Sequence, residues 1–283
     1  MIKIKKGGFF YRFAKNKLAL VALCVMLAIL AITIVSNIVL DFKTDIVAQN
    51  VENRFQPPSS AHWLGTDEYG RDILKRILYG GKYSISIGVA SVAVSLAAGI
   101  LIGAFSGFCG GVVDNIIMRI MDVFLSMPLI LMAMVIVAAL GPGLTNVVWA
   151  LAISTLPQYA RQVRVAILTI RGEDYIEAAR AVGTSNFHLI WHHMLPNVIG
   201  PIIVQATLSV ASIIMMASSL SYLGLGISAP LPEWGAMLSN AKSFIRTNPM
   251  VAMYPCIAIV LTVLCINLIG DGIRDAIDPR LRD

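Results

Sequence analysis

Charge is scarce in this chain. Only 13% of its 283 residues are Asp, Glu, Lys or Arg, where soluble domains carry about a quarter. With 57% hydrophobic residues and a mean hydropathy of +0.78, that scarcity excludes the soluble globular class. Cysteine is scarce too. Cys24, Cys109, Cys256 and Cys265 all lie inside or at the edge of apolar runs. Their spacing fits neither a zinc site nor a disulfide framework, so they read as small apolar packing residues. The sequence lacks G-x-x-x-x-G-K-[ST], so it does not bind ATP in the Walker manner. No nucleophile and base stand in a convincing frame. Ser84, Ser86, Ser91 and Ser95 read as ordinary helix residues that bond back to their own backbone. Neither an internal repeat nor a low-complexity tract is present.

What remains is a chain with a net charge of +6. Basic residues for nucleic acid cluster in one patch with interleaved aromatics. Here they fall between long uncharged runs. The positive-inside rule explains the excess without an anionic ligand, and nucleic acid is excluded as a partner.

A helix needs about 20 apolar residues to cross the hydrocarbon core, and six segments qualify. The first is Leu18–Leu40. It is too long for a signal-peptide core, and no A-x-A site follows it, so it reads as a retained helix. The second lies within Tyr83–Val113. The third and fourth share the uncharged stretch Val123–Ala160, broken at Gly141-Pro142-Gly143. The fifth lies within Met194–Leu225 and the sixth is Thr247–Gly270. Runs this apolar satisfy their backbone in lipid only as helices. The chain thus reads as an all-α membrane protein with six transmembrane helices.

Six spans put both termini on one side, and Lys and Arg choose the side. Six lie in the N-terminal arm, Arg119 opens span three, four lie between spans four and five, and three lie at the C-terminus. The opposite face carries the other eight of the 22, six of them in a loop that also holds six acids. Both termini are therefore expected to be cytoplasmic. The resulting division is a cytoplasmic arm at 1–17, a first transmembrane helix at 18–40 and an extracytoplasmic loop at 41–82. A five-helix core follows at 83–270, with a cytoplasmic loop at 161–196 inside it, and then a tail at 271–283. Within the outer loop, Glu68–Leu78 has the pattern of a short amphipathic helix.

The inner loop carries the sharpest pattern. It reads Glu173-Asp174-Tyr175-Ile176-Glu177-Ala178-Ala179-Arg180-Ala181-Val182-Gly183 and runs on to Leu195-Pro196. This predicts a short Ala-rich helix, a Gly that turns it, and a second short helix stopped before Pro196. Small residues at 178, 179 and 181 leave a thin helix that another protein can approach closely. Glu177 offers a charge for an Arg or Lys across an interface. On composition alone the same stretch also reads as a solvated hairpin.

Glu177-Ala178-Ala179, then Gly183, then Leu195-Pro196 resembles the EAA loop of ABC importer permeases. The usual Ile before the Leu is His193 here. The likeness continues along the chain. Gly65-Thr66-Asp67 is followed by Gly70-Arg71-Asp72. Asp114-Asn115, Met118-Arg119 and Asp122 open span three, and Pro232-Glu233-Trp234-Gly235 precedes span six. Gly270-Asp271-Gly272, Arg274-Asp275 and Asp278-Pro279-Arg280-Leu281 close the sequence. In order and spacing these resemble the second permease subunit of dipeptide, oligopeptide and nickel ABC importers.

The resemblance implies a type I ABC importer permease fold in the cytoplasmic (inner) membrane. It implies transport of peptides, or alternatively of nickel or a metal chelate. Its implied partners are a homologous second permease, two ABC ATPase subunits docked on the 161–196 loop and an extracytoplasmic substrate-binding protein. ATP and Mg would be held by those ATPases, leaving this chain without a cofactor or a catalytic residue of its own. The coupling residues carried over are Glu177, Ala178, Ala179, Gly183, Leu195 and Pro196.

Two further groups are weighed against this. His188 and His192 share a helical face, His193 points elsewhere, and neither Cys nor acid stands near as a third ligand, so no metal site is expected. Arg119 and Asp122 are three apart and predict a local ion pair. A secondary transporter would need ionisable residues at mid-membrane, and the centres of these runs are almost free of charge.

Overall fold

The computed structural model of the chain describes residues 9–227 and 229–277. Lys3, Lys5 and Lys6 of the basic arm, and the closing Asp278-Pro279-Arg280-Leu281, lie outside the described residues. A short α1 (Phe9–Lys15) leads into α2 (Lys17–Val39), whose first turn Asn16 caps by accepting from the Ala19 amide at 3.1 Å. The outer loop then runs to α3 (Ile73–Cys109), which is followed by α4 (Gly111–Leu125), α5 (Leu129–Leu140) and α6 (Leu144–Ile170). The inner loop holds α7 (Asp174–Ala181) and α8 (Asn186–His188), and passes through a π-helical segment, Leu189–Met194, into α9 (Leu195–Tyr222). α10 (Trp234–Ala241) and α11 (Met250–Ile277) complete the fold. Among the described residues the one bridge of extended chain is Thr66 with Asp72.

Four helical stretches are long and apolar enough to cross a membrane: Lys17–Val39, Ile73–Cys109, Asn186–Tyr222 and Met250–Ile277. A fifth forms if α4 and α5 count as one span bent by 88°. That bend departs from the single third span expected from the sequence. Its cause is Pro128, which lacks an amide hydrogen and pushes its predecessor out of the helical region. The break at Gly141-Pro142-Gly143 falls where the sequence placed it, with Gly141 and Gly143 at positive φ. The amphipathic helix expected at Glu68–Leu78 does not form as a unit. Glu68 to Arg71 make a tight turn, Asp72 caps by accepting from the Lys75 amide at 2.9 Å, and residues from Ile73 onward belong to α3.

α3 is the central helix, and α6 packs against it most intimately. The reason is a Gly stripe at Gly99, Gly103 and Gly107. A Cβ at Gly103 would come 2.3 Å from the Ala160 carbonyl oxygen, and one at Gly99 would come 2.4 Å from Tyr159 Cβ. Small residues let two backbones approach this closely where no hydrophobic force drives helices together. Polar side chains seal the seam. Ser91 Oγ donates to the Val148 carbonyl at 3.2 Å, and Thr155 Oγ1 donates to Ser95 Oγ at 2.9 Å. This corrects the expectation for the serines of α3: Ser91 and Ser95 bond across to α6, Ser84 bonds to Glu233, and Ser86 bonds back to its own helix. The cysteines also differ from expectation, since Cys265 is buried whereas Cys24, Cys109 and Cys256 are exposed on their helices.

α2 lies against α11, and their ends define one end of the molecule. Asn16 Nδ2 donates to Asp275 Oδ2 at 3.1 Å. The start of α9 reaches the same end, because a Cβ at Gly200 would meet Ile277 Cγ2 at 3.2 Å. The start of α9, which the inner loop leads into, therefore shares an end with Asn16 and the end of α11.

Candidate coupling loop

The inner loop is a compact cap on a buried apolar cluster. Ile176 from α7, Leu189 and Met194 from the π-helical segment, and Leu195 and Val198 from α9 pack on Ala104, Phe108, Val163 and Ile167. Ile176, Leu189 and Met194 are fully buried. A polar loop folds here because one apolar residue per turn faces inward.

Gly183 ends α7 with φ +85°. The Gly183 amide donates to the Arg180 carbonyl at 3.0 Å, and the Thr184 amide donates to the Ala179 carbonyl at 3.2 Å. These two bonds form a Schellman motif, whose left-handed residue is cheapest as Gly. Ser185 then opens the next turn by accepting from the His188 amide at 3.4 Å. The expected stop before Pro196 is absent. The chain runs from Asn186 straight into α9, with Pro196 in the first turn of that helix, where its missing amide hydrogen has no intrahelical partner to lose.

Of the sequence-selected residues, Glu177, Ala178, Gly183 and Pro196 are exposed, Ala179 is half-buried and Leu195 is buried. They thus divide into an outward face, Glu177-Ala178, and inward anchors. Three outward residues escaped the sequence reading. Val182 is 82% exposed and Phe187 70% exposed, and the Phe187 and Trp191 rings lie 5.9 Å apart. Their signal was bulky apolar side chains in an otherwise polar loop. His188 and His192 share a face as the sequence suggested, whereas His193, expected to point elsewhere, joins them. His188 and His192 stack at 4.0 Å, and His193 meets the His188 ring edge at 5.6 Å. Among the described residues, no group of three His, Cys, Asp or Glu is placed to hold a metal.

Beside the loop, α4 and α6 are tied by charge. Arg164 Nε donates to Asp114 Oδ1 at 2.6 Å, its second nitrogen reaches Oδ2, and Ser106 Oγ donates to the same carboxylate. Asp122 pairs with Arg161. This corrects the expected Arg119–Asp122 pair. The 88° bend carries α4 along α6, so each acid finds an arginine on the neighbouring helix.

The outer signature motifs are structural at close range. Gly65 and Gly70 take positive φ, and Asp67 accepts from the Tyr69 and Arg71 amides. Glu233 caps α10 by accepting from the Gly235 and Ala236 amides, both at 2.8 Å. Trp234 Nε1 donates to the Ile77 carbonyl at 2.9 Å. Burial pushes the Glu233 carboxyl above the usual range.

Residues 99–283 match the family described as the binding-protein-dependent transport system inner membrane component. The chain belongs to this family. Residues 7–58 match the N-terminal TM domain of oligopeptide transport permease C. Among relatives, the dipeptide transport system permease protein DppC of Alkalihalophilus pseudofirmus is 43% identical over 96% of this chain and 89% of its own length. The di/tripeptide transport system permease protein DppC of Pseudomonas aeruginosa is 43% identical over 97% and 92%. The glutathione transport system permease protein GsiD of Pectobacterium atrosepticum is 41% identical over 97% and 91%. The fold resembles that of the MetNI methionine ABC transporter in an inward-facing conformation, with a TM-score of 0.60, 19% identity, and cover of 73% of this chain and 98% of that one. As a member of this inner-membrane family, the protein is a multi-pass permease component of an ABC transport system. Membership implies that ATPase and binding-protein partners act with it.

Proposed function

We propose that the chain is one permease subunit of an ATP-driven importer of short peptides. A homologous second permease supplies the other half of the pathway, two ATPase subunits bind ATP and Mg, and an extracytoplasmic binding protein delivers substrate. Relatives named for dipeptide, di/tripeptide and glutathione transport support the substrate class.

The chain crosses the membrane six times with both termini cytoplasmic. The four long apolar stretches and the bent pair support five of these crossings. α6 supplies the sixth, since its 27 residues extend about 40 Å at about 1.5 Å per residue. Arg161 and Arg164 lie in its C-terminal half, beyond the uncharged stretch 144–160. The meeting of Asn16 with Asp275 supports termini on one face, and the Lys and Arg distribution supports the cytoplasmic face.

The observation that carries the mechanism is the construction of the inner loop. Ile176 and Leu195 clamp it to the core, Gly183 fixes its turn, and Glu177, Ala178, Val182 and Phe187 face outward. A rigid knob of this kind transmits ATPase closure to α6 and α9 as a push. Peptide-stimulated ATP hydrolysis and peptide uptake in proteoliposomes holding both permeases, both ATPases and the binding protein test this proposal. Hydrolysis by the purified chain alone, or uptake that proceeds without ATPases, would overturn it.

A further inference from the structure

The outer end of the chain holds two buried arginines that its own contacts do not exhaust. Arg71 is 4% exposed and Arg76 2% exposed. Arg71 Nε donates to Asp67 Oδ2 at 2.7 Å, and its terminal nitrogen donates to Glu68 Oε1 at 3.3 Å. Arg76 donates from one terminal nitrogen to the Ile46 carbonyl at 2.7 Å. Its Nε stands 3.5 Å from Asp67 Oδ2 and makes no hydrogen bond. A buried guanidinium with an unused donor is costly unless something completes it.

Both arginines border a cavity of about 170 Å³. Pro142, Ser221, Ser239 and Asn240 are among its other walls. A site needs about 10–15 Å³ by this measure to hold one water, so the cavity takes a small organic group. Its walls come from the start of α3, the α5–α6 turn, the end of α9 and α10, all at the end opposite to the Asn16–Asp275 contact.

We propose that this cavity binds a carboxylate, and that the carboxylate is that of the transported peptide. The choice of substrate rests on the peptide-import reading above; the choice of carboxylate rests on the cavity alone. A planar monoanion matches a guanidinium fork. Asp67 holds the Arg71 guanidinium at 2.7 Å whereas Glu68 makes only a 3.3 Å contact, so the pair of arginines has room for one further negative charge and a dianion would meet net repulsion. Burial and the neighbouring Asp67 charge push the Glu68 carboxyl above its usual range, in the direction that lessens negative charge beside the arginines.

Asn240 is exposed and lines the cavity together with both arginines. Asn240→Asp adds a competing negative charge at nearly constant shape, and Asn240→Lys adds the opposite one. Neither touches the Arg71 and Arg76 contacts. The probes are acetate, the dipeptide Ala-Ala and its C-terminal amide, followed by saturation-transfer NMR on the assembled importer in nanodiscs without binding protein. Acetate and Ala-Ala should bind and the amide should not. Asn240→Asp should weaken binding about tenfold, the scale of one added like charge near the ligand in a partly buried site. Asn240→Lys should strengthen it. Equal binding of acid and amide, or affinities unmoved by both substitutions, would overturn the site. Acetate binding that follows the Asn240 charge, in a system that imports no peptide, would sink the peptide reading and leave the carboxylate pocket. Peptide import without such binding would do the reverse.

Discussion

Arg164 grips Asp114 with two donors across 50 residues of sequence, and the acid also accepts from Ser106 on α3. Three helices, α3, α4 and α6, therefore meet at one carboxylate. Apart from it, α4, which starts at the glycine pair Gly110-Gly111 and precedes an 88° bend, is tied by charge to α6 through Arg161 and Asp122. Arg164→Ala should lower stability by about 1.5–3 kcal/mol, the range for a hydrogen bond to a charged group. Asp114→Asn should cost a similar amount, and the double variant little more than either single one. A double-mutant cycle on thermal midpoints of the detergent-solubilised complex checks this. Strictly additive losses would show that the two side chains do not act as a pair.

Glu68 gives the outer loop a pH dependence with a defined sign. Its folded carboxyl holds the proton more tightly than the unfolded chain does, because burial penalises the charge and Asp67 adds repulsion. The stability this group contributes is complete below about pH 4, the ordinary glutamate range. It is lost as the pH rises through the raised folded value. Glu68→Gln stays neutral and lacks that slope. Wild-type protein should therefore lose thermal stability relative to Glu68→Gln as the pH is raised from about 4 to about 7. A constant difference between the two melting curves across that range would refute the assignment.

The four long apolar helices were legible because apolar runs of this length leave the backbone no other choice. The break at Gly141-Pro142-Gly143 was legible for the same local reason. The bend at Pro128 was carried by one residue inside an uncharged run, and the apolar pattern hid it. The partners of Asp114 and Asp122 were not legible. They depend on α4 folding back along α6, a tertiary event that overrides the three-residue spacing of Arg119 and Asp122. Gly183 could be read as a turn from its neighbours, whereas the Val182–Phe187 face needed the burial of Ile176 and Leu189 to define which way is out. Outside the helices, the positive φ of Gly65 and Gly70 was foreshadowed only by the presence of glycine.

Topology is tested with single cysteines placed in a background lacking Cys24, Cys109, Cys256 and Cys265. Ser59 lies in the loop before α3 and Ser185 in the inner loop, and both are exposed. A membrane-impermeant maleimide should label Cys at position 59 in sealed cells. It should label position 185 only after the membrane is opened. External labelling at 185 would reverse the orientation and remove the docking role of the loop with it.

The proposed coupling role rests on shape at Gly183 and on charge at Glu177. Gly183 sits at φ +85° with nothing within 4 Å of where a Cβ would be, so the obstacle to a side chain there is conformational rather than steric crowding. A β-branched residue forced into that region costs on the order of 1–3 kcal/mol, which the Schellman turn can shed by unwinding and tilting α7. Gly183→Val should thus misplace the outward face while Ile176 stays anchored. Glu177→Lys keeps the backbone and reverses one exposed charge. If that charge is buried against an ATPase, its reversal should cost about 2–5 kcal/mol of the interface. Both variants should insert normally, retain fewer ATPases on co-purification and lose peptide-stimulated hydrolysis. Ser59→Ala, in the outer loop, should leave both properties unchanged. Wild-type uptake with ATPases fully retained in both inner-loop variants would reduce the loop to a solvated connector.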